Sequence, residues 1–181
     1  MSGARWSVHL KREALINAVT NALANGGIGW LLFKDEAVIN AWHGTSQFGV
    51  DLLATAAILS LILAAILQPL QRRALLKNTD LLIGARADPK SLITWDRNLF
   101  PFPFPPWLKT IAYYPLAGLL AAALTLGVLS AFGLESFSAL EYSLFKGAWT
   151  GVWAALLTRQ IIKGCAVGMI NGQRAEELDR S

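Results

Sequence analysis

The stretch LAGLLAAALTLGVLSAF, Leu116 to Phe132, carries no charge and almost no polar side chain. A helix in a soluble four-helix bundle keeps a polar face toward water. This run leaves none, so it reads as a helix immersed in lipid, where every backbone polar group is bonded within the segment. Seventeen to twenty such residues at 1.5 Å each match a hydrocarbon layer about 30 Å thick.

Three further apolar runs have comparable length. The expected spans are residues 14–33, 48–67, 111–132 and 143–162. Glu13 and Lys34 bound the first, and Pro69, Arg72 and Arg73 close the second. Pro115 falls in the first turn of the third, where proline is tolerated. Only 15% of the chain is charged, against about a quarter in soluble domains. The fold class read from this pattern is an all-α membrane protein. Four transmembrane helices form two hairpins joined by a long cytoplasmic loop, residues 69–109, in one integral membrane domain.

Lys and Arg set the orientation. Arg5, Lys11 and Arg12, then Arg72, Arg73, Lys77, Arg86, Lys90, Arg97 and Lys109, then Arg159, Lys163, Arg174 and Arg180 fall on one side. Lys34 and Lys146 alone fall on the other. Both termini are therefore expected in the cytoplasm, with the protein in a cell inner membrane. The net charge of +4 comes from residues flanking apolar runs, which fits anionic lipid rather than nucleic acid. The first run lacks a cleavage site for a signal peptidase and is expected to remain as a span. Cys165 stands alone in the sequence, which excludes an intramolecular disulfide and a cysteine zinc cluster.

Polar residues within the spans are the functional clues, because they are costly in lipid. Asn17, Asn21 and Asn25 recur every fourth residue on one helix face. They read as glue between helices or as the lining of a polar path. Asp51 and Lys146 lie at matching depth near the outer ends of their spans. Each either pairs with the other or reaches separately to the headgroups. Gly118 with Ala122, and Gly147 with Gly151, give small-residue faces for close helix packing. They suggest that the third and fourth spans form a tight hairpin. Trp149 and Trp153 are expected to pack on lipid or a neighbour.

Outside the spans, Pro69 to Leu82 reads as an extension of the second helix or an amphipathic turn, ended by Gly84. Trp95 is followed by a strip in which Phe100, Phe102, Phe104 and Trp107 alternate with prolines, which forbid helix. They form an interfacial anchor or a strip that packs on the bundle mouth or a partner. The tail from Asn171 reads as a frayed, solvated end.

No catalytic residues, metal site or cofactor are expected: His9 and His43 fall on opposite sides, and paired carboxylates and nucleotide loops are missing. The function read from these residues is a non-catalytic membrane subunit that binds partners or lipid. Its expected partners are membrane lipid and either further copies of itself or a larger membrane complex. The alternative is a small transporter or channel-like protein built on Asn17, Asn21, Asn25, Asp51 and Lys146.

Overall fold

The computed structural model describes residues 2–43, 46–93 and 112–179. Within them the chain forms five α-helices: α1 Ser2–Phe33, α2 Phe48–Lys77, α3 Thr79–Ala87, α4 Tyr114–Ala131 and α5 Ala139–Leu178. Two of these, α2 and α4, are long and apolar enough to cross a membrane. In α1 and α5 the asparagines, threonines and Lys146 dilute the apolar character.

The two connections at one end pair with each other. Strand β1, Ile39–Asn40, runs antiparallel to β2, Ser136–Phe137, with Ile39 opposite Phe137. The Ala41 amide adds a bond of 2.9 Å to the Glu135 carbonyl. This clasp ties α1–α2 to α4–α5. Helix α4 reaches it through a Schellman stop. Gly133 takes φ +70°, its N–H meets the Ser130 carbonyl at 2.9 Å, and Leu134 N–H meets the Leu129 carbonyl at 2.9 Å. Helix α5 then starts on a capping box: Ser138 N–H and Oγ each donate to Glu141 Oε2 at 2.8 Å. Those hydrogen bonds hold the Glu141 carboxyl below the usual carboxylate range.

Packing crosses between the pairs. Helix α1 lies on α5, and α2 lies on both α4 and α5. A Cβ at Gly147 would stand 2.8 Å from the Ala22 carbonyl oxygen, and one at Gly151 would stand 2.9 Å from that of Ala18. These glycines therefore admit α1, not α4. Gly118 admits α2: a Cβ there would meet Ser60 Oγ and stand 2.6 Å from the Ala56 carbonyl oxygen. Ala122 is buried with Ala56 and Leu126. The expected tight pairing of the third and fourth spans is thus replaced by α1 on α5 and α2 on α4. A small-residue face records that something approaches closely, not which helix does.

The helices also outrun the expected spans. Helix α1 begins at Ser2, α2 continues through Pro69 to Lys77, and α5 continues to Leu178. The tail from Asn171 is accordingly helical through Leu178 rather than frayed, and its residues 171–174 are exposed. Pro69 removes one backbone donor but does not end α2, because Gln71 and Leu75 beyond it are buried. Gly84 lies inside α3 and does not stop it. These extensions, with Ile162 at the end of the fourth expected span, bury a small core: Trp6 and Leu10 of α1, Leu75 of α2, Leu82 of α3, and Ala166 of α5. At the surface, Arg5 pairs with Asp80 at 2.6 Å and Arg86 donates to Gln173 at 2.6 Å. Part of the expected 69–109 connection is therefore structured, including a 3₁₀ turn at Pro89–Leu92. Trp95, Phe100, Phe102, Phe104 and Trp107 lie outside the described residues.

Candidate functional site

Lys146 and Asp51 meet. The Lys146 ammonium donates to Asp51 Oδ2 at 2.6 Å. Two features of the sequence bring this about. Asp51 stands about one turn into α2 and Lys146 about two turns into α5, and both helices start from the same clasp. Lys146 also shares a face of α5 with Tyr142, one turn earlier. The Tyr142 hydroxyl donates to the same carboxylate oxygen and lies 3.4 Å from the Phe48 carbonyl. Lys146 Nζ sits 6.0 Å from the centre of the Tyr142 ring, which adds a weak cation–π term. Around them stand Phe33, Phe48, Phe137 and Phe145, with Phe33 edge-on to Tyr142 at 5.4 Å.

Burial is uneven: the Lys146 side chain is 2% exposed and that of Asp51 20%. A buried ammonium without a counter-ion would be strongly disfavoured. Asp51 supplies the countercharge, and the tyrosine hydroxyl satisfies part of the carboxylate's remaining demand. The lysine stem crosses Gly29 of α1, where a Cβ would stand 3.3 Å from Lys146 Cδ. Three helices thus converge on one ion pair.

The asparagine stripe behaves differently. Asn17 Nδ2 donates to the Glu13 carbonyl at 3.0 Å, Asn21 to the Asn17 carbonyl at 2.8 Å, and Asn25 to the Asn21 carbonyl at 3.1 Å. Each amide donates one turn back along its own helix rather than across to a neighbouring one. The contact across to α5 comes from the other partner: Thr150 Oγ1 lies 3.3 Å from the Asn21 carbonyl and 2.8 Å from that of Lys146. The stripe is half-buried and lies beside the small residues Ala18, Ala22 and Gly26 that meet α5.

Further polar contacts were not anticipated from sequence. Trp153 Nε1 donates to Ser60 Oγ of α2 at 2.8 Å, and Trp149 Nε1 donates to Thr125 Oγ1 of α4 at 2.9 Å. The two indoles stack at 6.2 Å and fill the space among α2, α4 and α5. At the opposite end, Gln71 Nε2 donates to Glu13 Oε2 at 3.0 Å, and its Oε1 faces His9 Nε2 at 3.1 Å. The signal for Tyr142 was its i, i+4 relation to Lys146. Ser60 and Gln71 carry no comparable signal, being single polar residues in an apolar helix.

The Cys165 thiol is raised to about 11 by burial, with Arg72 opposing the effect. Its S–H points at the Gln68 carbonyl, 3.7 Å away. Among the described residues no group of three His, Cys, Asp or Glu side chains could hold a metal ion. What the arrangement does chemically is neutralise a buried cation and lock three helices together. Comparison with known protein families, characterised proteins and solved structures finds no match for this chain.

Proposed function

We propose that this chain is an integral membrane protein of the inner membrane that spans the bilayer four times, with both termini cytoplasmic. It acts as a non-catalytic subunit that binds lipid and further copies or partner proteins. The observation that carries this reading is an inside-out distribution of polarity. Large apolar side chains point outward on all four long helices: Leu15, Val19 and Leu23 on α1; Ile58, Ile62 and Ile66 on α2; Leu120, Leu124 and Val128 on α4; Leu144, Val152 and Leu156 on α5. The apolar windows of α2 and α4 are only 39% and 22% buried, whereas the core helix of a soluble protein hides most of its apolar surface. Soluble monomers rarely expose contiguous apolar patches beyond a few hundred Å². Charge supports the orientation: among the described residues, Lys34 and Lys146 are the only Lys or Arg near the clasp, and the other described Lys and Arg lie toward the opposite end.

The subunit reading is favoured over transport by how the interior polar groups are engaged. The asparagine amides bond to their own helix, the indoles bond to Ser60 and Thr125, and Lys146 is closed by Asp51. One observation favours the second reading, a small transporter: the Asp51 carboxylate keeps 20% exposure at the end of a half-buried polar stripe.

Purification in mild detergent followed by native mass spectrometry tests the proposal. A stoichiometric complex of several copies, or with a distinct partner, is expected. A lipid-free monomer that drives ion flux in liposomes, lost in Asp51→Asn, would replace the subunit reading with the transporter.

A further inference from the structure

The outward apolar stripe of α5 gives way to two cations. Val152 and Leu156 are 63% and 42% exposed, and Arg159 and Lys163 follow on the same side at seven and eleven residues from Val152. Among the described residues neither cation has an ion-pair partner, and the Lys163 ammonium makes only a long bond of 3.5 Å to the Ile93 carbonyl. Like charges one turn apart repel. Burial first, and Arg159 second, hold the Lys163 pKa below the ordinary lysine value, with Asp88 opposing them.

Such a pair is completed by an anion. A phosphate suits it, because the guanidinium fork grips two oxygens while the ammonium supplies a compact charge. Free phosphate would leave Val152 and Leu156 unused. A phospholipid uses both parts, since its acyl chain runs down from its phosphate as the apolar stripe runs down from the cations. Arg159, about one turn inside the boundary reached at Lys163, has the length to reach that layer.

We propose that Arg159 and Lys163 hold the phosphate of an anionic phospholipid whose acyl chain lies along Val152 and Leu156 of α5. This rests on the membrane reading and names one of its lipid contacts.

The test is native mass spectrometry of the whole detergent-solubilised protein. Phosphatidylglycerol or phosphatidylcholine with identical acyl chains is added. The wild type is expected to retain the anionic lipid about tenfold better, given the attraction of two cations for an anionic headgroup. Arg159→Gln with Lys163→Gln removes the preference, while Lys11→Gln with Arg12→Gln, an equal loss of charge, keeps it. Millimolar inorganic phosphate leaves the bound lipid in place.

Equal retention of the two lipids by the wild type overturns the inference, and that comparison needs no variant to fold. Equal loss in both double variants overturns it as well, since it would mean general attraction. Displacement by phosphate would reduce the site to an anion site without a lipid. A protein that stays dispersed without detergent would sink the membrane reading itself, an outcome distinct from insertion without headgroup preference.

Discussion

Lys146 Nζ on α5 and Asp51 Oδ2 on α2 are 2.6 Å apart although 95 positions separate the residues. The lysine is almost fully buried and the aspartate is not. Removing one partner of a buried pair leaves an uncompensated charge, typically at a cost of about 3–5 kcal/mol. The partial exposure of Asp51 lowers these losses to the bottom of that range or just below it, about 2–3 kcal/mol. Asp51→Asn and Lys146→Met should each lower thermal stability in detergent, and the double substitution should recover part of the loss. Unfolding of the three variants measures the coupling. Strict additivity would mean that the contact carries no interaction energy.

The glycines of the bundle should divide into two classes. Gly147→Ala places a methyl 2.8 Å from the Ala22 carbonyl oxygen, and Gly118→Ala places one against Ser60 and the Ala56 carbonyl. Overpacking of this kind costs about 1–3 kcal/mol. Gly127, also within α4, has nothing within 4 Å of its Cβ position. Alanine there gains about 0.5–1 kcal/mol of helix propensity. Thermal midpoints should fall for the first two variants and rise or hold for the third. A loss at Gly127 equal to that at Gly147 would contradict the packing described.

The start of α5 should respond to acid through Glu141. Its carboxyl is held below the ordinary range by the Ser138 backbone and hydroxyl. A depressed acid stabilises the folded state above its unfolded pKa. That contribution is lost as pH falls through the folded value, so the window lies at and below the usual glutamate range. Wild type should melt higher than Glu141→Gln at about pH 7, and the difference should shrink as pH falls toward about 3. A gap that is constant with pH would remove the ionised capping box as its cause.

Cys165 should be slow to react. A thiol raised to about 11 from the ordinary 9.0 carries about 100-fold less thiolate at a pH below both values. Alkylation with iodoacetamide near pH 8 should accordingly proceed about 100-fold more slowly in the folded protein than after denaturation. Comparable rates would place the thiol in water.

The helical character of the fold was legible in Leu116–Phe132, and the matched depth of Asp51 and Lys146 offered their contact as one of two alternatives. Partner choice was not legible. Gly147 and Gly151 mark a face of α5, but only Ala18 and Ala22 of α1 reveal who occupies it. Hydropathy also locates where apolar character ends rather than where a helix ends. Thus Trp6, Leu75 and Ala166 were not expected to share a core beyond the apolar runs. The asparagine spacing alone does not choose between glue and path, for a physical reason: a short amide on a helix can satisfy itself on the carbonyl four residues back, so its presence does not require a neighbour. The Ser138–Glu141 spacing matches a capping box, a local signal that the apolar runs around it overshadow.

The most direct test of the account concerns which ends of the bundle face which side of a bilayer. In a Cys165→Ala background, single thiols are introduced as Val38→Cys beside the clasp and Ile83→Cys on α3, both more than half exposed in the wild type. A membrane-impermeant maleimide is then applied to intact cells. Labelling of the first alone, with the second labelled only after lysis, is the predicted result. Equal labelling of both in intact cells, or release of the protein by alkaline carbonate without detergent, would contradict it.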